Sequence, residues 1–310
     1  MSITSNILNF TTKLQKNNSK SIPTVVIKNG VIQAGPSDHS FFSQQQQTLI
    51  IHHQAPSKSL RILFVSSKSY TCELNLICEE YSQLKIIEEH LDLAIEEIAV
   101  KTTINLTILT SSTINYFRLT ANPSNPVNRS LTTNLIQHQA SNFNLTYANL
   151  PGLKSTSIIS AKFLATKAIC KINGLNLGIN SQIATDELLI EHLKSDNSSQ
   201  VLVKNIVDHQ ATSRFKCLVI TNQKATGTKT KVINKNLLLS KEAKALTTPE
   251  LEIYNNEVSC THGATIGQID QRAIFYLRSR GLNHKQSLNL LTQGFAQEII
   301  DQLAMVLASS

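Results

Sequence analysis

Glycine and proline are scarce in this chain, 10 and 7 among 310 residues, and that scarcity limits how it can turn. Two-residue hairpin turns need positive φ, and Asn-Gly is their strongest sequence signal. That pair occurs only at Asn29-Gly30 and Asn173-Gly174, too rarely for a sandwich built from hairpins. No stretch approaches the roughly 20 consecutive apolar residues of a spanning helix, so no membrane segment is expected. The opening "MSITSNILNFTTKLQKNNSK" lacks the apolar core and cleavage site of a secretory signal, and it is not transit-like. The 5 cysteines (Cys72, Cys78, Cys170, Cys217, Cys260) are odd in number and form no CxxC pair. That usage fits a reducing compartment, the cytoplasm, rather than a disulfide framework.

Charge is also thin. Only 16% of residues are charged, although the formal balance is +8. Asn, Ser, Thr and Gln supply most of the polar surface instead. A nucleic-acid partner would call for a basic stripe. The densest group, Lys224, Lys229, Lys231 and Lys235, is spread through strand-like sequence, so no nucleic acid is expected.

The first 48 residues are mixed: a helix candidate from Ile7 to Leu14, a strand-like "TVVIKNGVIQ", and "SFFSQQQQ", read as a solvated connector. From residue 49 to 267 short strand-like runs recur at intervals of about ten residues, the spacing of an all-β array. Cys72, Leu74, Leu76 and Cys78 share one face against Glu73, Asn75 and Ile77. Ile104, Leu106 and Ile108 repeat the pattern against Asn105 and Thr107. A period of two puts one face in a core and the other toward solvent. Many short strands with polar corners suit a β-solenoid, in which each rung buries its face against the next; without a strict repeat, a jelly roll stays open as the alternative. From residue 268 to 310 the period becomes helical. Ile269, Ala273, Ile274 and Leu277 share a face, Gly281 is placed to end that helix, and Asn283 with Gln286 resembles a capping box opening a second one.

The chemistry concentrates in "EVSCTHGATIGQIDQRAIFYLRSRG". On a strand, residues two apart point the same way, so Cys260 and His262 could converge on one ligand. Both suit zinc or iron–sulfur chemistry, but two donors cannot close a tetrahedral site, and the rest would have to come from elsewhere. A buried Cys beside a surface His is the bland alternative. A Cys–His catalytic dyad is disfavoured, because such partners meet across a fold rather than along a strand. "HGATIG" lacks the Lys and Ser/Thr of a phosphate-binding P-loop. His52, His53, His138, His192 and His209 show no linking pattern and read as surface or strand-end residues. Arg272, Arg278 and Arg280 read as a solvated helix face, with the last two complementing the helix dipole.

"NKNLLLSKEAKALTTPELEIYNNEVSCTHGAT" followed by "FYLRSRG" resembles the SufB/SufD family of iron–sulfur cluster assembly proteins, strongly over residues 234–303 and more loosely from residue 49. The match is to the SufD branch. Thr261 and Gly263 flank the His where SufB chains carry acidic residues, and Ala243 stands where SufB has its sulfur- or cluster-bearing Cys. The resemblance implies a right-handed parallel β-helix with a C-terminal helical domain, and a non-catalytic scaffold. It would pair with a SufB-type subunit and dock SufC, an ABC-type ATPase, through that helical domain. It implies a nascent iron–sulfur cluster bound at the shared interface by the residue matching His262, with Cys260 beside it, and reduced flavin bound by the whole complex. It also implies indirect dealings with a cysteine desulfurase. Phe275, Tyr276, Leu277, Arg278, Arg280 and Phe295 fall where partner contact is expected. The chain departs from the pattern in its shortened N-terminus, in Cys217, expected to be a core residue, and in Val232. Relatives also self-associate, so the alternative is a SufB-like homodimeric scaffold. A carbohydrate-active solenoid would need clustered carboxylates; the only dense group, "EEHLDLAIEE", reads as solvent-facing rung ends.

Overall fold

The computed structural model describes residues 22–34, 42–45, 48–51, 58–121, 126–150 and 152–308. They form a parallel β-solenoid of about 7 turns followed by two helices. One sheet stacks β5 (Lys58–Ser66), β7 (Gln83–Asp92), β9 (Thr113–Ala121), β11 (Asn142–Leu150), β13 (Ile169–Gly178), β15 (Ser198–Val207), β17 (Lys229–Leu238) and β19 (Ser259–Gln268). The facing sheet stacks β6 (Tyr70–Cys78), β8 (Ile98–Ile108), β10 (Val127–Gln137), β12 (Lys154–Phe163), β14 (Ile183–His192), β16 (Thr212–Thr221) and β18 (Lys244–Ile253). Each strand pairs in parallel with the strand one full rung on. Asn149 therefore meets Asn176, 27 residues away, and Asn205 meets Asn236, 31 away.

The alternation read from the sequence is what closes this coil. Cys72, Leu74, Leu76 and Cys78 all point inward and are at most 2% exposed, as are Ile104, Leu106, Ile108 and Cys217. The spacing differs from expectation. Strands of nine to eleven residues plus a corner recur about every fifteen residues, and a rung takes about thirty, so a search at ten finds no repeat. The corners nevertheless repeat. Ser82, Ser112 and Ser141 each donate to the carbonyl three residues back, at Glu79, Leu109 and His138. The residue before each, Tyr81, Ser111 or Ala140, sits in the left-handed region and donates its N–H to the next rung, at Thr110, Gln139 and Thr166. Non-glycine residues take that conformation at a cost of the order of 1 kcal/mol each. Cross-rung hydrogen bonds offset it, which is how a glycine-poor chain turns so often.

Strand pairing begins before residue 49. The Asn29-Gly30 turn joins an antiparallel hairpin, β1 (Thr24–Lys28) and β2 (Val31–Ala34), and β1 lies parallel to β5. Part of the glutamine run is strand rather than connector: β3 (Phe42–Gln45) pairs antiparallel with β4 (Thr48–Ile51), because an edge of the solenoid is there to be extended. The helix candidate at residues 7–14 and the pair His52 and His53 lie outside the described residues. The other Asn-Gly is no turn. Gly174 lies mid-strand in β13, where a Cβ would sit 2.2 Å from the ring of Tyr147.

The acidic segment "EEHLDLAIEE" splits: Glu96 and Glu97 are exposed at the corner after β7, as expected of rung ends, but its other acids are not. Glu88, Glu89 and Asp92 are buried, because each meets an arginine from the same or a neighbouring rung. Arg118 Nε donates to Glu88 at 2.6 Å, Arg61 donates to Glu89 at 2.7 Å, and Arg129 pairs with Asp92. Burial works against the Glu88 charge, but Arg118 and His90 overcome it and hold the acid at about 2. His192 does end β14, yet it faces inward, stacked 4.2 Å from the Phe163 ring with Nε2 2.9 Å from Ser199 Oγ. Farther along, Asn149, Asn176, Asn205 and Asn236 form an inward ladder in which each amide donates to the next carbonyl oxygen, at 2.7–3.1 Å.

Helix α1 (Gln271–Ser279) opens on Asp270, whose carboxylate accepts from Arg272 N at 2.8 Å, and Gly281 beyond its end has φ +92°. Helix α2 (His284–Ala308) opens on the expected box: Gln286 N donates to Asn283 Oδ1 at 2.9 Å, and Asn283 N to Gln286 Oε1 at 2.8 Å. Ala296, Ile299 and Leu303 of α2 lie on Ala148, Leu150, Leu175 and Ile206, covering the outer face of the sheet. Among the described residues no helix is long and apolar enough to cross a membrane.

Candidate functional site at the open end of the solenoid

The coil stops at β18 and β19. Each has one strand neighbour, β16 and β17, and no further described strand caps the rung. Their free edges leave a row of unpaired N–H and C=O groups, and their inner faces lie open, with Ile253 and Ile266 about half exposed.

Register decides which way the candidate residues point. Thr230 and Val232 of β17, 5% and 1% exposed, face the core. Cys260 and His262 stand directly beside them on β19 and therefore face inward too, at the mouth of the barrel. His262 is exposed and reaches across to the facing sheet, its Nδ1 lying 3.2 Å from the carbonyl oxygen of Pro249 on β18. A carbonyl only accepts, so Nδ1 carries the proton in that bond, and in the neutral ring Nε2 keeps its lone pair. A backbone carbonyl bonded to one ring nitrogen fixes both the tautomer and the orientation of an imidazole. Cys260 is half-buried, and burial raises its thiol pKa, so it needs a cation nearby to ionise. Gly263, next along β19, lies on the outer side beside Ile233, where an added Cβ would stand 3.4 Å from Ile233 Cδ1.

The four remaining thiols are buried in the core and form no disulfide; burial pushes Cys170 and Cys217 to about 12. Among the described residues no three His, Cys, Asp or Glu side chains gather into a metal-binding group, at Cys260 and His262 or elsewhere. Ala243 is buried in the corner between β17 and β18, against Val207 and Ala211, not beside His262.

The partner-contact candidates divide. Phe275 and Tyr276 on α1 are 75% and 57% exposed, and Arg278 and Arg280 are exposed beside them, with the Arg280 guanidinium 5.3 Å from the Tyr276 ring centre. Leu277 is half-buried. Phe295 lies on α2 and packs against the outer sheet beneath Lys204, away from the α1 patch. Sequence reasoning missed Pro249 as the group that sets the His262 tautomer; a backbone carbonyl on the facing sheet leaves no residue-type signal.

The described coil thus ends in an open rung with a thiol and an imidazole at its mouth, and a helix with exposed aromatic side chains follows it. The family model for the SUF system FeS cluster assembly SufBD core domain matches residues 63–295, and the chain belongs to that family. It is 38% identical over 133 residues to the iron–sulfur cluster assembly protein SufD of Escherichia coli K12, covering 43% of this chain and 31% of that protein. It is 45% identical over 104 residues to an iron–sulfur cluster assembly SufBD family protein of Synechocystis, covering 34% and 23%. A SufBD family protein of Mycobacterium leprae matches at 32% over 154 residues, covering 47% and 39%. The matches thus span less than half of each relative.

Proposed function

We propose that this chain is a non-catalytic, SufD-type scaffold of cytoplasmic iron–sulfur cluster assembly. It pairs through the open rung with a SufB-type subunit whose donors join His262 and Cys260 in holding a nascent cluster. The cluster is cargo, made there and passed on. The observation that carries this reading is the inward, proton-fixed His262 at an uncapped rung with too few donors of its own. A neutral imidazole with Nε2 free is a competent ligand for iron, and a thiol beside it becomes one once a cation lowers its pKa. The free edges of β18 and β19 supply the backbone groups that a second chain can extend. The Phe275 and Tyr276 patch on α1 is assigned to docking a SufC-type ATPase.

The test is anaerobic co-purification with SufB- and SufC-type partners, measuring bound iron and sulfide for the wild type and His262→Ala. Loss of both, with the complex still of native mass, supports the shared site. Full retention would overturn it. A second reading rests on symmetry: two copies joined at this rung would bring two Cys260 and two His262 together, a four-donor set. A stable homodimer that binds iron without any partner would favour it.

A further inference from the structure

On the outer face of the sheet that ends in β19, a groove of about 370 Å3 runs between β13, β15 and β17 on one side and α2 on the other. Lys171, Gln200 and Lys231 form one row across its strands, each directly beside the next. At about 4.8 Å per strand, the two lysines are rooted about 10 Å apart. Lys235 stands four residues farther along β17, about 13 Å from Lys231. All three are exposed, and none makes an ion pair or hydrogen bond among the described residues. The acid lining the groove is already neutralised: Glu298 of α2 receives the ammonium of Lys204 at 2.8 Å, and that buried lysine also donates to the Phe295 carbonyl at 3.0 Å. Leu202 and Ile233 make an apolar floor between the lysines. Gln302 closes the far wall, its Oε1 accepting from Thr146 Oγ1 at 3.3 Å, which leaves its amide as a donor.

We propose that this groove binds an organic diphosphate, with Lys171, Lys231 and Lys235 on the phosphates and the organic body on Leu202 and Ile233. Three flexible ammonium groups around an opening of this size form a cradle for two adjacent phosphates, and each contact is a charge-assisted hydrogen bond. The neutralised Glu298 removes the one repulsive group. The lysines face outward while Cys260 and His262 face inward, so this inference does not depend on the function proposed for the open rung.

The test titrates the full chain calorimetrically with inorganic pyrophosphate and with ADP, at low and at physiological salt. The wild type is expected to bind one of either per chain, ADP at least threefold more tightly because of the apolar floor. Lys171→Gln/Lys231→Gln should weaken both at least tenfold. Lys101→Gln/Lys154→Gln, which removes the same charge from the outer face of the other sheet, should change affinity less than twofold. Equal affinity for the two ligands would overturn the seat for an organic body on Leu202 and Ile233 and leave free pyrophosphate as the ligand. Equal weakening by the two double variants, or no binding by the wild type, overturns the proposal.

Discussion

Gly174→Ala adds one methyl group at a place with no room for it. The new Cβ would lie 2.2 Å from Tyr147 Cζ, 2.3 Å from its Oη and 2.6 Å from Cε1, so the ring or the strand must move. Overpacking of this kind costs about 1–3 kcal/mol. The ring is not free to move, because Tyr147 is fully buried and its hydroxyl donates to Asp186 at 2.8 Å. Asp186 is itself buried and also held by Asn176 at 2.6 Å, so losing the tyrosine adds about 1–3 kcal/mol for an unpaired buried group. Against this, alanine gains about 0.4–1 kcal/mol by restricting the unfolded chain. The net expectation is a loss of about 2–5 kcal/mol, read as a lower urea midpoint by circular dichroism. Gly267→Ala, where nothing lies within 4 Å of the added Cβ, should shift the midpoint hardly at all. Tyr147→Leu removes every one of the three clashing atoms, so in that background Gly174→Ala should cost less than about 1 kcal/mol. Equal costs for Gly174→Ala in the two backgrounds would refute the steric argument.

Other perturbations test the interior charges and the helical patch. Arg118→Met strands the buried Glu88 carboxylate and should cost about 3–5 kcal/mol, most of it restored by the double variant Arg118→Met/Glu88→Leu; denaturant titration checks both. Burial lowers His192 to about 4, below its usual 6.5, so it stays neutral in the fold while the unfolded chain takes up a proton. Its stabilisation is therefore full above pH 6.5 and is lost as pH falls toward 4, at up to about 1.4 kcal/mol per unit. His192→Gln should flatten that acid limb in pH-resolved unfolding, whereas an unchanged slope would mean that the histidine titrates normally. Asp186 opposes it, because burial raises that acid to about 6. Phe275→Ala should leave the unfolding midpoint unchanged and weaken capture of a SufC-type ATPase at least tenfold in a binding titration.

Much of the fold was legible because a strand's alternation is local. Cys72 to Cys78 and Ile104 to Ile108 announced their inner faces, and Asn283 with Gln286 announced α2, since each signal lies within a few residues. What escaped the reading acts across rungs. Glu88 looks solvent-exposed until Arg118, 30 residues on, is placed beside it, and the asparagine ladder joins residues 27 to 31 apart. Gly174 looks like a turn until Tyr147 from the preceding rung fills the space above it. At the site, the spacing of Cys260 and His262 put both on one face. Only the register with Thr230 and Val232 shows that this face is the inner one, at an open mouth.

In the proposed function His262 binds the cluster through Nε2 from this chain's side of an interface. The direct measurement is pulsed electron paramagnetic resonance of the reduced, anaerobically purified complex, with nitrogen-15 histidine incorporated into this chain alone. The expected result is a strongly coupled nitrogen-15 that disappears in His262→Ala while the complex keeps its native mass. A cluster whose spectrum carries no coupling to this chain's histidine would contradict it.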